Sequence, residues 1–246
     1  HLPDRTKIKT DSLTAVYAGE KASLAVRLFE PNGTKLDVEN GKIPYPVFST
    51  RTPAVPPPQP AYLDFATTGR ASSSQYLVGL VPAATEGAAR SLIGQMTELA
   101  GENVKGIRTL RGGETDLVMF RVGSDSQIFR QGEWSADASV LTITSDANDL
   151  KMFAAQNARS VKRGNSIVFS SNAPASVAAK YASGRVDAVT NADAATRNTF
   201  FIGRAPSRLL IDGKEIGSAE FRFDRSANMI TLNLPAGRHE IKIEFR

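Results

Sequence analysis

Hydrophobic and polar residues alternate with a period of two near the end of the chain. Ile230, Leu232 and Leu234 are separated by polar residues, and apolar residues return at positions 241, 243 and 245. This spacing is typical of a strand with one buried face, and a helix does not show it. Upstream, Asp212-Gly213 follows an apolar run and indicates a two-residue hairpin turn. The C-terminus is therefore predicted to be an antiparallel meander with one buried face.

Short apolar runs broken by turn residues continue through most of the chain. Between residues 140 and 181 the interruptions recur about every ten residues, which is typical of a β-sandwich. Residues 53–60 are rich in proline, so we expect an extended surface loop there. Residues 88–100 fit a short helix and a strand equally well. Leu92, Ile93, Met96 and Leu99 form a helical stripe, whereas the glycine-rich flanks and the apolar runs that follow favour a strand.

These patterns predict an all-β fold made of antiparallel β-sandwiches. A change in composition over residues 171–205 divides the chain into a larger sandwich, residues 1–172, and a smaller C-terminal antiparallel β-domain, residues 173–246. A single large sandwich is the alternative. The 246 residues are enough to bury a sizeable core in either arrangement. No apolar run approaches the roughly 20 residues that a transmembrane helix needs.

Composition excludes several kinds of chemistry. The chain has no cysteine, so it forms no disulfide, no thiolate zinc site and no cysteine nucleophile. Its formal net charge is +5, from 30 basic and 25 acidic residues, which mildly favours anionic partners. The basic residues are scattered and aromatic residues make up only 7%, so nucleic acid is not an expected partner.

The search for catalytic or metal-binding residues finds no complete set. The two histidines are His1 and His239, and His1 is the candidate metal ligand because a terminal histidine can chelate a metal through its amino group and ring. The carboxylate pair Asp146 and Asp149 fits a turn better than glycoside hydrolysis. The triplet Asp187, Asn191 and Asp193 is a weak hint of calcium binding, because it lacks the glycine and glutamate of an EF-hand.

Several segments, taken in order, resemble the heparinase II/III-like polysaccharide lyases. The opening "HLPD" is similar to the histidine-containing stretch that leads into their β-sandwich. Next come "YLDFATTGRASSSQYLVGLVPA", "DLVMFRVG", "LTITSD" and "NARSVKRGNSIVFSSNAP", which follow the family's order of strands. The likeness covers most of the chain and consists of general β patterns.

The resemblance implies that this chain is the C-terminal β-sandwich part of a lyase that cleaves a uronate-containing anionic polysaccharide by β-elimination. Such lyases carry their catalytic residues mainly in an N-terminal α/α toroid, so that toroid is an expected partner and no catalytic residue is assigned here. Zinc or calcium would belong to the complete enzyme, with His1 as the residue that matches the family's histidine. The implied location is periplasmic or secreted, with no membrane partner.

Five residues are candidates for contact with the polysaccharide: Tyr45, Tyr62, Arg70, Arg108 and Arg111. Each also fits a core or solvated-loop position. The alternative function is a stand-alone carbohydrate-binding or adhesive β-sandwich module that has no catalytic partner.

Overall fold

The computed structural model describes residues 8–30, 34–40, 61–67, 75–124, 127–147 and 149–245. Over these residues the protein is mostly β, with 68% strand and one short helix. Its strands pair into antiparallel sheets, which confirms the predicted all-β class. The proline-rich segment 53–60 lies outside the described residues. No helix in the described ranges is long and apolar enough to cross a membrane.

Backbone contacts divide the chain into two compact units, His1–Met96 and Thr97–Arg246. The elements of the first unit are β1 (Ile8–Asp11), β2 (Thr14–Ala18), β3 (Ser23–Glu30), β4 (Thr34–Asn40), β5 (Ala61–Thr67), β6 (Leu77–Ala83) and α1 (Glu86–Gly94). Four strands form an antiparallel sheet in the order β1-β2-β3-β6, and β4 pairs with β5. The helix packs on this sheet through buried Ala89 and Ile93.

Helix α1 is stabilised at its N-terminus by both a cap and charge. The Thr85 hydroxyl accepts a hydrogen bond from the Ala88 backbone N–H at 3.2 Å. Glu86 in the first turn forms ion pairs with Arg90 and Lys9, and hydrogen bonds from these two residues lower the pKa of its carboxyl. The helix ends at Gly94 and a strand begins at Met96. The ambiguous segment 88–100 is therefore helix in its first half and strand in its second.

The second unit contains the remaining strands, and β7 starts at its boundary. They are β7 (Met96–Gly101), β8 (Val104–Arg111), β9 (Glu114–Arg121), β10 (Phe129–Gln131), β11 (Trp134–Ala136), β12 (Val140–Ser145), β13 (Leu150–Arg163), β14 (Ser166–Ala182), β15 (Arg185–Ala192), β16 (Thr196–Phe201), β17 (Arg208–Ile211), β18 (Lys214–Glu215), β19 (Phe221–Asp224), β20 (Met229–Leu234) and β21 (Gly237–Glu244).

Two long strands, β13 and β14, organise this unit. The first part of β13 and the last part of β14 lie in a run ordered β18-β17-β21-β15-β14-β13-β12-β9-β8-β7. The other ends of the two strands pair with β11 and β16, and β16 continues to β20 and β19. Register shifts in β13 and β14 mark the change of partners. Each long strand therefore has different neighbours at its two ends.

The predicted alternation near the C-terminus is confirmed at the level of single residues. Ile230, Leu232, Leu234, Ile241 and Ile243 are all buried in one hydrophobic core. Asp212 and Gly213 form the predicted two-residue turn between β17 and β18, both with positive φ.

The predicted meander is wrong in its last step, because β20 and β21 are not neighbours. β20 pairs with β16 and β19, whereas β21 pairs with β15 and β17. Both strands bury one apolar face in the same core, and alternation alone does not show which strand each will pair with.

The boundary predicted between residues 172 and 173 falls inside the continuous strand β14. The compact units divide at residues 96 and 97 instead. The division into residues 1–172 and 173–246 stays a prediction, since the compactness of backbone contacts does not test which segments fold alone.

Candidate functional site

An outward-facing surface formed by β16, β20 and β19 has the features of a ligand site. In this part of the sheet the inward positions are occupied by residues such as Phe200, Ile230 and Leu232, each at most 1% exposed. Alternate positions face the other way, so Thr199 and Thr231 lie side by side in the register. Their hydroxyl oxygens are 3.1 Å apart and share a hydrogen bond.

An open groove of about 690 Å³ lies over this surface. We call it the β16–β20–β19 groove. Its floor contains Thr199 and Thr231, and its lining also includes two arginines, Arg197 and Arg222, and one exposed aspartate, Asp224. Strand alternation explains these positions, because Arg222 and Asp224 occupy the outward places of β19 while the two phenylalanines of that strand pack toward the core.

The two arginines of the groove are exposed and form no ion pair with any residue that the structure describes. Arg197 opposes Asn233, and Arg222 opposes Thr231. The backbone of Arg197 is held in place by its N–H, which donates to Asn172 Oδ1 at 2.7 Å. A guanidinium group carries five donors in a planar fork that matches a carboxylate, so both side chains are suited to an anionic ligand.

The groove also contains two carboxylates, Glu220 and Asp224, and both are engaged in local turns. Glu220 Oε2 accepts from the Gly217 N–H at 3.0 Å. Asp224 Oδ1 accepts from the hydroxyl and the N–H of Ser226 and from the N–H of Ala227. The Ser226 hydroxyl is the largest cause of a lowered pKa at Asp224, followed by the backbone donors. Asp224 therefore stays ionised at neutral pH, and its charge partly offsets that of Arg222.

Together these groups can bind a polar ligand by hydrogen bonds and charge. The groove offers guanidinium donors, hydroxyl groups that both donate and accept, and carboxylate acceptors. These groups are suited to the recognition of a polar ligand.

The second histidine of the chain, His239, lies in strand β21 opposite Thr190 of β15 and does not belong to the groove lining. Its Nδ1 is 2.7 Å from Asp212 Oδ2, and its Nε2 is 3.3 Å from the carbonyl oxygen of Pro235. Asp212 Oδ1 also accepts from the Glu240 N–H at 2.8 Å. Hydrogen bonds from His239 and then from Glu240 lower the pKa of the Asp212 carboxyl. This contact joins the turn after β17 to strand β21.

The residues predicted to bind saccharide are not brought together by the described structure. Tyr45 and Arg70 lie outside the described residues, and so does the predicted metal ligand His1. Tyr62 is placed in β5, opposite Glu39, but its side chain is not among those described. Arg108 and Arg111 are both exposed on β8, on opposite faces because they are three positions apart. Arg111 is paired with Asp116 at 3.5 Å. The saccharide-binding role of these residues stays a prediction.

Three of the carboxylates singled out in the sequence, those of Asp146, Asp149 and Asp187, have structural partners. Asp146 and Asp149 form the predicted turn, in which Asp146 Oδ1 accepts from the Asp149 N–H at 2.7 Å, and Lys151 pairs with both. Asp187 forms an ion pair with Arg185 at 2.8 Å.

The residues that the structure describes form no candidate metal site. Over those ranges of the chain, no three histidine, aspartate or glutamate residues are grouped closely enough to hold a metal ion. His239 has one carboxylate neighbour, Asp212, and its other ring nitrogen faces a carbonyl oxygen.

Sequence reasoning missed the groove residues, although part of the signal was present. The segment "FRFD" alternates apolar and charged residues, which predicts that Arg222 and Asp224 share an exposed face. In β16 the signal is hidden, because its inward positions include the polar residues Thr196 and Asn198. No pattern shows that β16, β20 and β19 become neighbours.

Comparison with protein-family models and with curated proteins gives no match to this chain. The resemblance to heparinase II/III-like lyases therefore depends only on the segments quoted from the sequence.

Proposed function

We propose that this chain is an antiparallel β-sandwich module that binds an anionic, uronate-containing polysaccharide in the β16–β20–β19 groove. The observation that carries the proposal is the pair of exposed guanidinium groups, Arg197 and Arg222, in a groove that also contains the hydroxyls of Thr199 and Thr231. Arginine is suited to a uronate carboxylate, while hydroxyl and carboxylate groups are suited to sugar hydroxyls.

The sandwich part of the proposal is supported by aromatic contacts in the core. Phe153 lies in the part of β13 that pairs with β12, and Phe169 lies in the part of β14 that pairs with β16. Their ring centroids are 6.3 Å apart, and Phe169 also contacts Phe200 at 5.3 Å. Side chains from the two parts of the sheet thus meet in one core, which is the packing expected if these parts face each other.

The proposal assigns binding to this chain and leaves any catalysis to another part of a larger protein. Whether that part is the α/α toroid of a lyase stays a prediction, because no feature of the groove depends on it. The periplasmic or secreted location and the absence of nucleic-acid and membrane partners also stay predictions.

The test is a calorimetric titration with an alginate hexasaccharide and with a neutral hexasaccharide, at low and at high salt. We expect the acidic sugar to bind and the neutral sugar to bind more weakly. The acidic affinity should fall with salt, since exposed charges are screened within about 10 Å at 0.1 M ionic strength. Tight, salt-insensitive binding of the neutral sugar would contradict the proposal.

Substitutions of the two arginines in the groove lining test whether the polysaccharide binds there. Arg197→Gln and Arg222→Gln should each weaken alginate binding by about 1 kcal/mol, or roughly fivefold, the value expected for an exposed charge-assisted contact. Lys180→Gln is the control, because Lys180 is exposed on β14 outside the groove lining and its loss changes the net charge equally. If all three variants weaken binding to the same extent, the contact is non-specific and the groove is not the site.

A further inference from the structure

A row of polar residues crosses five strands on the surface that carries the groove. The register pairs Ser160 of β13 with Ser170 of β14, Ser170 with Thr199 of β16, Thr199 with Thr231 of β20, and Thr231 with Arg222 of β19. Four of these five residues carry a hydroxyl group. We call this set the hydroxyl row.

The neighbouring position on each strand shows that the hydroxyl row faces outward. Here the register joins five apolar residues, Val161, Phe169, Phe200, Ile230 and Phe223. The first four are at most 1% exposed, and the fifth packs against the same core. Because successive side chains of a strand point to opposite faces, the core covers the apolar row and leaves the hydroxyl row on the outer surface.

The hydroxyl row is longer than the groove. Thr199, Thr231 and Arg222 line the groove, whereas Ser160 and Ser170 continue the row beyond its lining. Neighbouring strands are about 4.8 Å apart, so the full row spans four intervals, or about 19 Å. Both serines are partly exposed. A ligand confined to the groove contacts one end of the row only, and an extended ligand can contact all of it.

We propose that the hydroxyl row binds an internal stretch of a linear acidic polysaccharide that lies across the strands. This inference depends on the proposed function and adds the direction and length of the ligand. One acidic unit lies at Arg222, and successive units place their hydroxyl groups over Thr231, Thr199, Ser170 and Ser160. Each serine or threonine hydroxyl donates one hydrogen bond and accepts others, so it can exchange hydrogen bonds with a sugar hydroxyl of either orientation.

The experiment is a chain-length series of saturated alginate oligosaccharides with two, four, six and eight units, titrated against the whole chain. We expect the affinity to rise up to the length that covers the row and then to level off. The double variant Ser160→Ala/Ser170→Ala should weaken binding of the hexasaccharide by about fivefold or more, as expected for two hydrogen bonds, and leave the disaccharide unchanged.

Thr142→Ala is the matched control. Thr142 is a partly exposed hydroxyl residue on β12, where Leu141 and Ile143 face the core, and it does not belong to the row. It should leave the affinity for every length unchanged. The melting temperature and circular dichroism of each variant show whether it is folded.

The outcomes separate the inference from the proposed function. An affinity that does not change with length, but still falls in Arg197→Gln, overturns the inference and leaves the proposed function in place. Equal weakening of all lengths by the serine variant also overturns the inference. Absence of binding at every length contradicts the proposed function itself.

Discussion

Replacing Asp212 by asparagine tests whether the contact between Asp212 and His239 stabilises the C-terminal part of the fold. The carboxylate accepts from the Glu240 N–H through Oδ1 and lies 2.7 Å from His239 through Oδ2. Asparagine tolerates the positive φ of 52° at this position and is favoured before glycine in a two-residue turn. It also keeps an oxygen for the Glu240 N–H. The substitution therefore removes the negative charge while it leaves the turn intact.

The expected loss of stability in Asp212→Asn follows from the solvent exposure of the two side chains. The Asp212 side chain is 51% exposed, whereas His239 is 12% exposed. Because solvent screens the aspartate, we treat the contact as a surface pair. Because His239 is largely buried, the contribution of the pair to the free energy of unfolding should be at the upper end of the range for such pairs, about 1 kcal/mol. In a protein of this size that loss lowers the melting temperature by about 2–4 °C. A double-mutant cycle with His239→Gln measures how much of the loss belongs to the pair.

The stability difference between wild type and Asp212→Asn should change with pH in one direction. The pKa of Asp212 is lowered below its ordinary value of 3.8, chiefly by the hydrogen bond with His239. A carboxyl with a lowered pKa in the folded state stabilises the fold above that ordinary value, and its contribution is lost as the pH falls through the folded pKa. The difference in melting temperature between wild type and Asp212→Asn should thus be present at pH 6 and shrink below pH 3.8.

Differential scanning calorimetry from pH 6 down to pH 3 measures this difference. Asp193→Asn is the control, because it removes the same charge from an exposed aspartate between β15 and β16 that takes no part in the contact between Asp212 and His239. A difference that grows on acidification, or that equals the effect of Asp193→Asn at every pH, would refute the reasoning.

Two further outcomes are expected. Asn198 is fully buried, and its Oδ1 has no partner among the described residues, while its Nδ2 donates to Thr196 at 3.0 Å. An unpaired buried acceptor costs about 1–3 kcal/mol of stability. The double variant Asn198→Leu/Thr196→Val should therefore be at least as stable as wild type in urea unfolding. A decrease of more than about 2 kcal/mol in its free energy of unfolding would contradict this. The isolated chain should release no unsaturated uronate from alginate, heparin or chondroitin, as followed by ultraviolet absorbance; turnover that disappears in His239→Ala would reveal a catalytic site.

The strands were predictable from the sequence where alternation is regular and one face is buried. Ile230, Leu232 and Leu234 show this, since each inward position is apolar and each outward position is polar. The turn at Asp212-Gly213 was predictable for a local reason, because few other dipeptides accept two successive positive φ values. Both signals act over a few residues and need no knowledge of the rest of the fold.

Strand order was not predictable in the same way. The contacts that place β20 beside β16, and β21 beside β15, join segments that are distant in the sequence. An alternating strand can bury its apolar face beside any neighbour that borders the same core. The pattern at residues 230–245 therefore fits a meander as well as the observed arrangement. The long strands β13 and β14 add a second difficulty, because each changes partners along its length at register shifts.

The candidate site depends on strand order, and this explains why the sequence did not reveal it. Ser160, Ser170, Thr199 and Thr231 are ordinary residues for the outward face of a strand, and each is unremarkable alone. They become a continuous row only because β13, β14, β16 and β20 are adjacent with a register that aligns them. A one-residue shift toward Val161, Phe169 or Phe200 would place an apolar side chain in the row. The same register that buries Phe169, Phe200 and Ile230 therefore also creates the hydroxyl row, so substitutions that disturb this core should weaken polysaccharide binding as well as stability.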